Sequence, residues 1–257
     1  MARDGWSPEA YGRHADARRQ PFLDLLALVE RTSRPRVLDV GCGTGEFTGE
    51  LHVALGARET QGLDSSEAML RHAPAVDGVA FVRGAAPDAL PDGPFDVIVS
   101  NSALNWVPDH EAVFASLRKR LAPGGQLAVQ VPSNPRTAYV ECAAQVARSP
   151  AFADELGGFV SESPVRSAPF YCALLERLGF TRQRVGTWRY VQHHGGVAGL
   201  ADFARGGLLS PYRARLEPER FEAFVSAYTE ALRARLGDGA VLFPFRRLFL
   251  WARLPPL

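Results

Sequence analysis

From Val37 to Val131 the apolar positions fall in short solid runs, each followed by a stretch with helical spacing. Val37-Leu38, the segment ending Gly62-Leu63-Asp64, Phe81-Val82, Phe95 to Val99 and Leu127 to Val131 all read as strands. Runs without polar alternation suit strands covered on both faces. The pieces between them, such as Glu46 to Gly56, are helix-like, and such alternation favours a parallel, doubly wound sheet. Before it, Pro21 to Val29 predicts an amphipathic helix opened by its proline. After it, residues 133–169 break the rhythm with scattered prolines. Phe170 to Leu178 predicts a helix closed at Gly179, and Phe180 to His193 a strand. Residues 195–237 are mainly helical, and Val241 to Leu254 predicts a last strand stopped by Pro255-Pro256. No internal repeat or low-complexity tract interrupts the chain.

The first strand runs into Asp39-Val40-Gly41-Cys42-Gly43-Thr44-Gly45 and then a helix. Strand, glycine turn and helix N-terminus make a nucleotide-type pocket, and glycines bring backbone N–H groups close to a ligand. A dinucleotide loop requires a third glycine at position 46, which is Glu46, and a phosphate loop requires Gly-Lys-Ser/Thr, which is absent. An acid two residues before the first glycine suits a ligand with an ammonium group and no phosphates, and S-adenosylmethionine (SAM) is such a ligand. About 20 residues on, Asp64 ends the second strand, where a carboxylate can accept from both ribose hydroxyls. Asp64 and the serines after it also suit a helix cap, and Asp39 could instead hold its own loop.

At these residues the chain resembles the class I SAM-dependent methyltransferases. The likeness continues through Phe95-Asp96-Val97-Ile98-Val99-Ser100-Asn101, similar to the class's fourth strand, and Leu121-Ala122-Pro123-Gly124-Gly125, similar to its turn into the fifth. Trp6-Ser7-Pro8-Glu9-Ala10-Tyr11, Ser100 to His110, Ala128 to Asn134 and Phe243-Pro244-Phe245-Arg246-Arg247-Leu248-Phe249 resemble members that esterify a small polycarboxylic acid such as trans-aconitate. The resemblance implies an α/β fold: a doubly wound, mostly parallel, seven-stranded Rossmann-like sheet with an antiparallel last strand and helical cap insertions. It implies one domain over 1–257, an N-terminal arm over 1–20 lying across the cofactor, and insertions 133–169 and 195–237 covering the active site.

For the cofactor, the class pattern singles out Asp39, Gly41, Cys42, Gly43 and Gly45 for the methionine part, and Asp64 with Ser65 for the ribose. Met69, Gly84 and Ala85 fall at the adenine, and Asn101 and Ser102 at the end of the fourth strand. The class usually carries an acid where Ala85 stands, so the adenine amino group would turn to a backbone carbonyl or to Asp88. Acceptor candidates are Tyr11, Arg18, Trp106, Asn134, Tyr171, Tyr190 and Arg246, since a polycarboxylate needs arginines and hydroxyls. The compared members carry an arginine where this chain has Ser210 before Pro211. That departure, with the apolar Leu200, Phe203, Leu208 and Leu209, leaves open a second reading: a natural-product tailoring O-, N- or C-methyltransferase with a larger, less charged acceptor.

No catalytic residue is singled out. A carboxylate acceptor is already ionised at neutral pH, its reference pKa being about 4, so transfer to it needs no general base and relies on proximity. Composition fits. The 257 residues, 46% of them apolar, can bury a large core, and the net charge of +1 gives no pull toward nucleic acid or membrane. The three cysteines lack metal-type spacing and point to reduced thiols in a cytoplasmic enzyme. His193 and His194, adjacent on a strand, face opposite ways, so no metal is expected. The expected partner is a small-molecule substrate, on a monomer or homodimer.

Overall fold

The structure, a computed structural model, describes residues 16–257, with side chains from Arg19 onward. Along the chain run α1 (Asp16–Leu26), β1 (Arg36–Val40), α2 (Glu46–Leu55), β2 (Glu59–Asp64), α3 (Glu67–Leu70), β3 (Val79–Arg83) and β4 (Phe95–Asn101). A single 3-10 turn (Leu104–Trp106) precedes α4 (His110–Lys119) and β5 (Leu121–Pro132). Then come α5 (Ala138–Ala147), α6 (Ala168–Arg177), β6 (Arg182–His194), α7 (Val197–Arg205), α8 (Ser210–Arg213), α9 (Pro218–Leu236) and β7 (Val241–Arg253).

The seven strands form one sheet in the order β3-β2-β1-β4-β5-β7-β6. Strands β1 to β5 pair in parallel and β7 lies antiparallel to β5. This is the doubly wound, Rossmann-like sheet that the alternating pattern predicts. Its central strands are solid apolar runs because both faces are covered: Val37, Leu38, Phe95, Val97 and Ile98 are fully buried. Chain order reverses between β1 and β4, and in open α/β sheets ligands bind at the C-terminal strand ends beside that reversal.

The chain gathers into two compact units. One comprises Arg18–Ser133, Pro164–Trp188 and Arg246–Leu257, and its core joins the sheet to Phe114, Leu117, Tyr171 and Leu175. The other comprises Asn134–Ser163 and Arg189–Phe245, which largely contain the two stretches that break the strand–helix rhythm. It has a core of its own, with Tyr139, Cys142, Leu200, Leu209, Tyr212, Phe224 and Tyr228. Phe203 and Leu208 pack against that core. The apolar character of residues 195–237 is therefore the inside of a packed unit, and it carries no message about a greasy acceptor. Buried hydroxyls are matched, as expected of polar groups out of water: Tyr228 donates to the Tyr139 carbonyl at 2.9 Å, and Tyr212 accepts from the Ser161 N–H at 3.1 Å.

One boundary differs from the sequence expectation. Helix α1 begins at Asp16, so Pro21 lies inside it instead of opening it. The arginine, alanine and glutamine that precede the proline are good helix formers, and they carry the helix across a residue that usually ends one. At the other boundary the glycine reading holds: Gly179, with φ 83°, follows α6, and its N–H and that of Phe180 close the last turn onto Glu176 and Leu175 carbonyls. No helix among the described residues is long and apolar enough to cross a membrane.

Candidate active site

The loop after β1 is held by packing and by its own hydrogen bonds. Gly41 has φ +75° and a Cβ there would lie 2.0 Å from the Ala103 Cβ; Gly45 has φ +72° and a Cβ there would lie 2.5 Å from the Phe81 ring. Both positions require glycine twice over, for backbone conformation and for space. The N–H groups of Gly41 and Cys42 donate to the Leu63 carbonyl at 2.7 and 3.0 Å, and Gly43 N–H donates to Asp64 Oδ2 at 2.8 Å. The sequence suggests that these groups point at a ligand. The structure corrects that for four of them: Gly41, Cys42 and Gly43 donate to β2 acceptors, and Gly45 N–H to the Cys42 carbonyl at 3.0 Å.

Asp64 also accepts from Ser66 N–H at 2.8 Å through Oδ1, so it holds both the glycine loop and the start of α3. A carboxylate has about four acceptor positions, and these two bonds occupy one on each oxygen. Ser66, rather than Ser65, caps α3, accepting from Met69 N–H at 3.2 Å; Ser65 is exposed. Met69 is buried, and its Cε is the nearest atom to a Cβ built on Gly43, at 3.5 Å. Past β3, Gly84 N–H donates to the Asp64 carbonyl at 2.9 Å, and the Ala85 carbonyl accepts from Ala89 N–H at 2.8 Å.

Asp39 is buried and accepts from Thr48 Oγ1 at 2.7 Å. Burial raises its pKa to about 6; the Thr48 hydroxyl works against that rise and the nearby charge of Asp64 adds to it. Burial, with both aspartates close by, also pushes the Cys42 thiol far up, which keeps it protonated and unreactive.

Strand register places these groups in one row. Asp39 pairs with Gly62 of β2 and with Val99 of β4, Asn101 pairs with Gln130 of β5, and Pro132 pairs with Arg247 of β7. Paired residues and their i+2 neighbours share a face. Asp64, Asp39, Asn101, Gln130 and Arg247 therefore follow one another along a single face, from the ends of β2, β1, β4 and β5 to the middle of β7. The row is acidic at one end and basic at the other. At its middle, Asn101 Oδ1 is buried with no hydrogen-bond partner among the described residues, and so is Gln130 Nε2. Ser102, in a left-handed conformation at φ 61°, donates from Oγ to Gln130 Oε1 at 3.0 Å. Arg247 Nη1 donates to both Ser102 Oγ and Gln130 Oε1 at 2.8 Å.

The acceptor candidates do not all come together. Trp106 is partly exposed in the 3-10 turn after β4, and Arg246 donates from Nε to the Ser133 carbonyl at 2.5 Å. Tyr171 is fully buried on α6; its hydroxyl donates to His110 Nδ1 and accepts from Arg166 N–H at 3.1 Å. His110 in turn meets the Leu104 carbonyl through Nε2 at 3.0 Å, and burial lowers its pKa and keeps it neutral. Tyr171 is thus a core residue that pins the 3-10 turn to α6, and it is withdrawn as an acceptor ligand. Tyr171→Phe leaves the buried His110 Nδ1 and the part-buried Arg166 N–H without this partner and is expected to cost about 1–3 kcal/mol in a urea titration; an unchanged midpoint would contradict the pin. Asn134 and Tyr190 belong to the second unit. Tyr11 and the side chain of Arg18 lie outside the described residues. Gln130 and Arg247, which sequence reading did not single out, lie in the row beside Asn101.

The donor set fits a sulfonium nucleoside. It offers two carboxylates to an ammonium and a ribose, has no lysine or arginine within Asp39 to Gly45 for a phosphate, and leaves the Asn101 oxygen without a partner among the described residues. Fold and loop together define a class I SAM-dependent methyltransferase. A methyltransferase-domain family model matches residues 11–185. The chain is 36% identical over 260 residues to a trans-aconitate 2-methyltransferase of Deinococcus radiodurans, covering 98% of this chain and 99% of that one. A protein of the same name from Methylobacterium nodulans is 37% identical, covering 96% and 98%. Among solved structures, YcgJ of Bacillus subtilis superposes with a TM-score of 0.61 at 17% identity, covering 93% of this chain and 100% of that one, a likeness of fold. The chain belongs to the trans-aconitate 2-methyltransferase family.

Proposed function

We propose that the protein esterifies one carboxylate of trans-aconitate, or of a closely similar small polycarboxylic acid. The observation that carries this reading is near full-length similarity to relatives of that name, together with a row of site residues that turns from acidic at the loop to basic at Arg247. Asp39 takes the ammonium of the methionine part, Asp64 the ribose hydroxyls, and Asn101 a donor of the same part. Met69, Gly84 and Ala85 border the adenine. Bound SAM supplies an electrophilic methyl group on a sulfonium.

A carboxylate oxygen of the acceptor attacks that methyl in line. The O–C bond forms as the S–C bond breaks, and the bonding pair returns to sulfur. The carboxylate charge and the sulfonium charge cancel, and no proton moves. The protein's own contribution is alignment, worth several kcal/mol when donor and acceptor are held in attack geometry, and exclusion of water. Neither Cys42, held protonated, nor His110, already bonded at both nitrogens, is needed as a base.

The test is transfer of a tritiated methyl group to trans-aconitate. Label released as volatile methanol by mild base is the expected result, since esters saponify. Label that resists base would mark N- or C-methylation and overturn the reading.

A further inference from the structure

Gln130 is a fully buried polar residue near the end of an apolar strand, at 0% exposure, and its position asks for a reason. Its orientation is fixed by its neighbours. Arg247 Nη1 and the Ser102 hydroxyl both approach Oε1, at 2.8 and 3.0 Å, and a reversed amide would set donor against donor. This leaves Nε2 as a buried donor with no partner among the described residues. Arg247, 3% exposed, donates from Nη1 to Ser102 Oγ and Gln130 Oε1. Ser102 is held in place by its own N–H, which donates to the Gln130 carbonyl at 2.8 Å, in a left-handed conformation that non-glycine residues adopt rarely. A hydroxyl, an amide donor and a guanidinium therefore meet where the ends of β4 and β5 lie beside the middle of β7. They lie on the same face as Asp39 and Asn101, and their charge is opposite to that of the loop. An anion with a planar pair of oxygens is the ligand such a set recognises.

We propose that Ser102, Gln130 and Arg247 form a carboxylate-binding site at the basic end of the row. The carboxylate comes either from the acceptor acid or from the methionine part of the cofactor. Both belong to the reaction assigned above, so the proposal rests on that reading for its ligands. Gln130 Nε2 and the guanidinium donate to the two carboxylate oxygens, and Ser102 holds the guanidinium in place. Because Asp39 lies on the same face two strands away, one zwitterionic or two oppositely charged ligands can span the row.

Two variants test it. Arg247→Met removes the charge while keeping a long side chain. Gln130→Glu places a carboxylate of the protein's own within reach of Arg247, where it neutralises the site from inside without emptying it, so the test survives if Arg247→Met folds poorly. Three titrations are measured by calorimetry: trans-aconitate into protein loaded with S-adenosylhomocysteine, S-adenosylhomocysteine into free protein, and 5′-methylthioadenosine, which lacks the amino-acid part. If the acceptor carboxylate sits here, both variants weaken trans-aconitate roughly 10- to 100-fold and leave both nucleosides unchanged. If the methionine carboxylate sits here, S-adenosylhomocysteine weakens by a similar factor while 5′-methylthioadenosine holds. Should wild type bind no trans-aconitate, the assigned acceptor is wrong, and the nucleoside pair alone decides the site. Affinities within twofold of wild type for every ligand in both variants overturn the proposal.

Discussion

Asp39→Asn is expected to make the ligand-free protein more stable and, at the same time, to cost it most of its cofactor affinity. The folded Asp39 carboxyl titrates at about 6 because it is buried, whereas an unfolded aspartate titrates near 3.9. An acid whose folded pKa is raised contributes most stability below its unfolded value and loses it as pH rises through the folded one. Above pH 6 its buried charge costs about 3 kcal/mol. Asparagine keeps an oxygen for the Thr48 hydroxyl, which sits 2.7 Å from the aspartate, and carries no charge to bury. Denaturation at pH 8 without ligand should therefore show a gain. Binding uses the ionised form, since an ammonium compensates the charge that the fold does not. Calorimetry with SAM should show a loss of roughly 10- to 100-fold in the variant at pH 7.5. Wild-type affinity should fall as pH drops below 6, while that of the variant should stay level. A variant that unfolds earlier yet binds like wild type would mean that Asp39 serves only its own loop.

Asp64→Ala should have the larger effect on binding. Its two oxygens hold the Gly43 and Ser66 N–H groups, each at 2.8 Å, and these fix the glycine loop and the start of α3. Removing the carboxylate leaves the ribose hydroxyls and two backbone donors unmatched, at about 1–3 kcal/mol for each buried group. S-adenosylhomocysteine affinity is expected to fall by roughly 100-fold or more. Adenosine, which shares the ribose, should weaken in parallel. Retained adenosine affinity would show that the ribose hydroxyls are held elsewhere.

Much of this was legible in the chain. The solid apolar runs fixed the central strands because both faces of the sheet are covered, and the glycine loop with two aspartates fixed the cofactor class, since glycine at 41 and 45 is demanded by backbone and packing alike. The loop N–H groups were misjudged for a local reason: the Leu63 carbonyl and Asp64 take them, and the sequence does not show that the loop crosses β2. Tyr171 was a candidate because a polycarboxylate needs hydroxyl partners, but its own partner His110 is 61 residues away in sequence. Gln130 offered a faint signal as a polar residue in an apolar strand. The choice between Arg246 and Arg247 rested on the register of β7 against β5, where Arg247 faces the Gln130 side. Adjacent residues on a strand point to opposite faces, so the two arginines face different sides of the sheet and only register separates them.

The most direct measurement is a crystal structure of the dead-end complex with S-adenosylhomocysteine and trans-aconitate. The expected result places the ribose hydroxyls on Asp64, the ammonium at Asp39 and a carboxylate oxygen of the acid facing the sulfur. A nucleoside seated away from the two aspartates, or a sulfur with no carboxylate before it, would contradict the assignment of this site to carboxylate methylation.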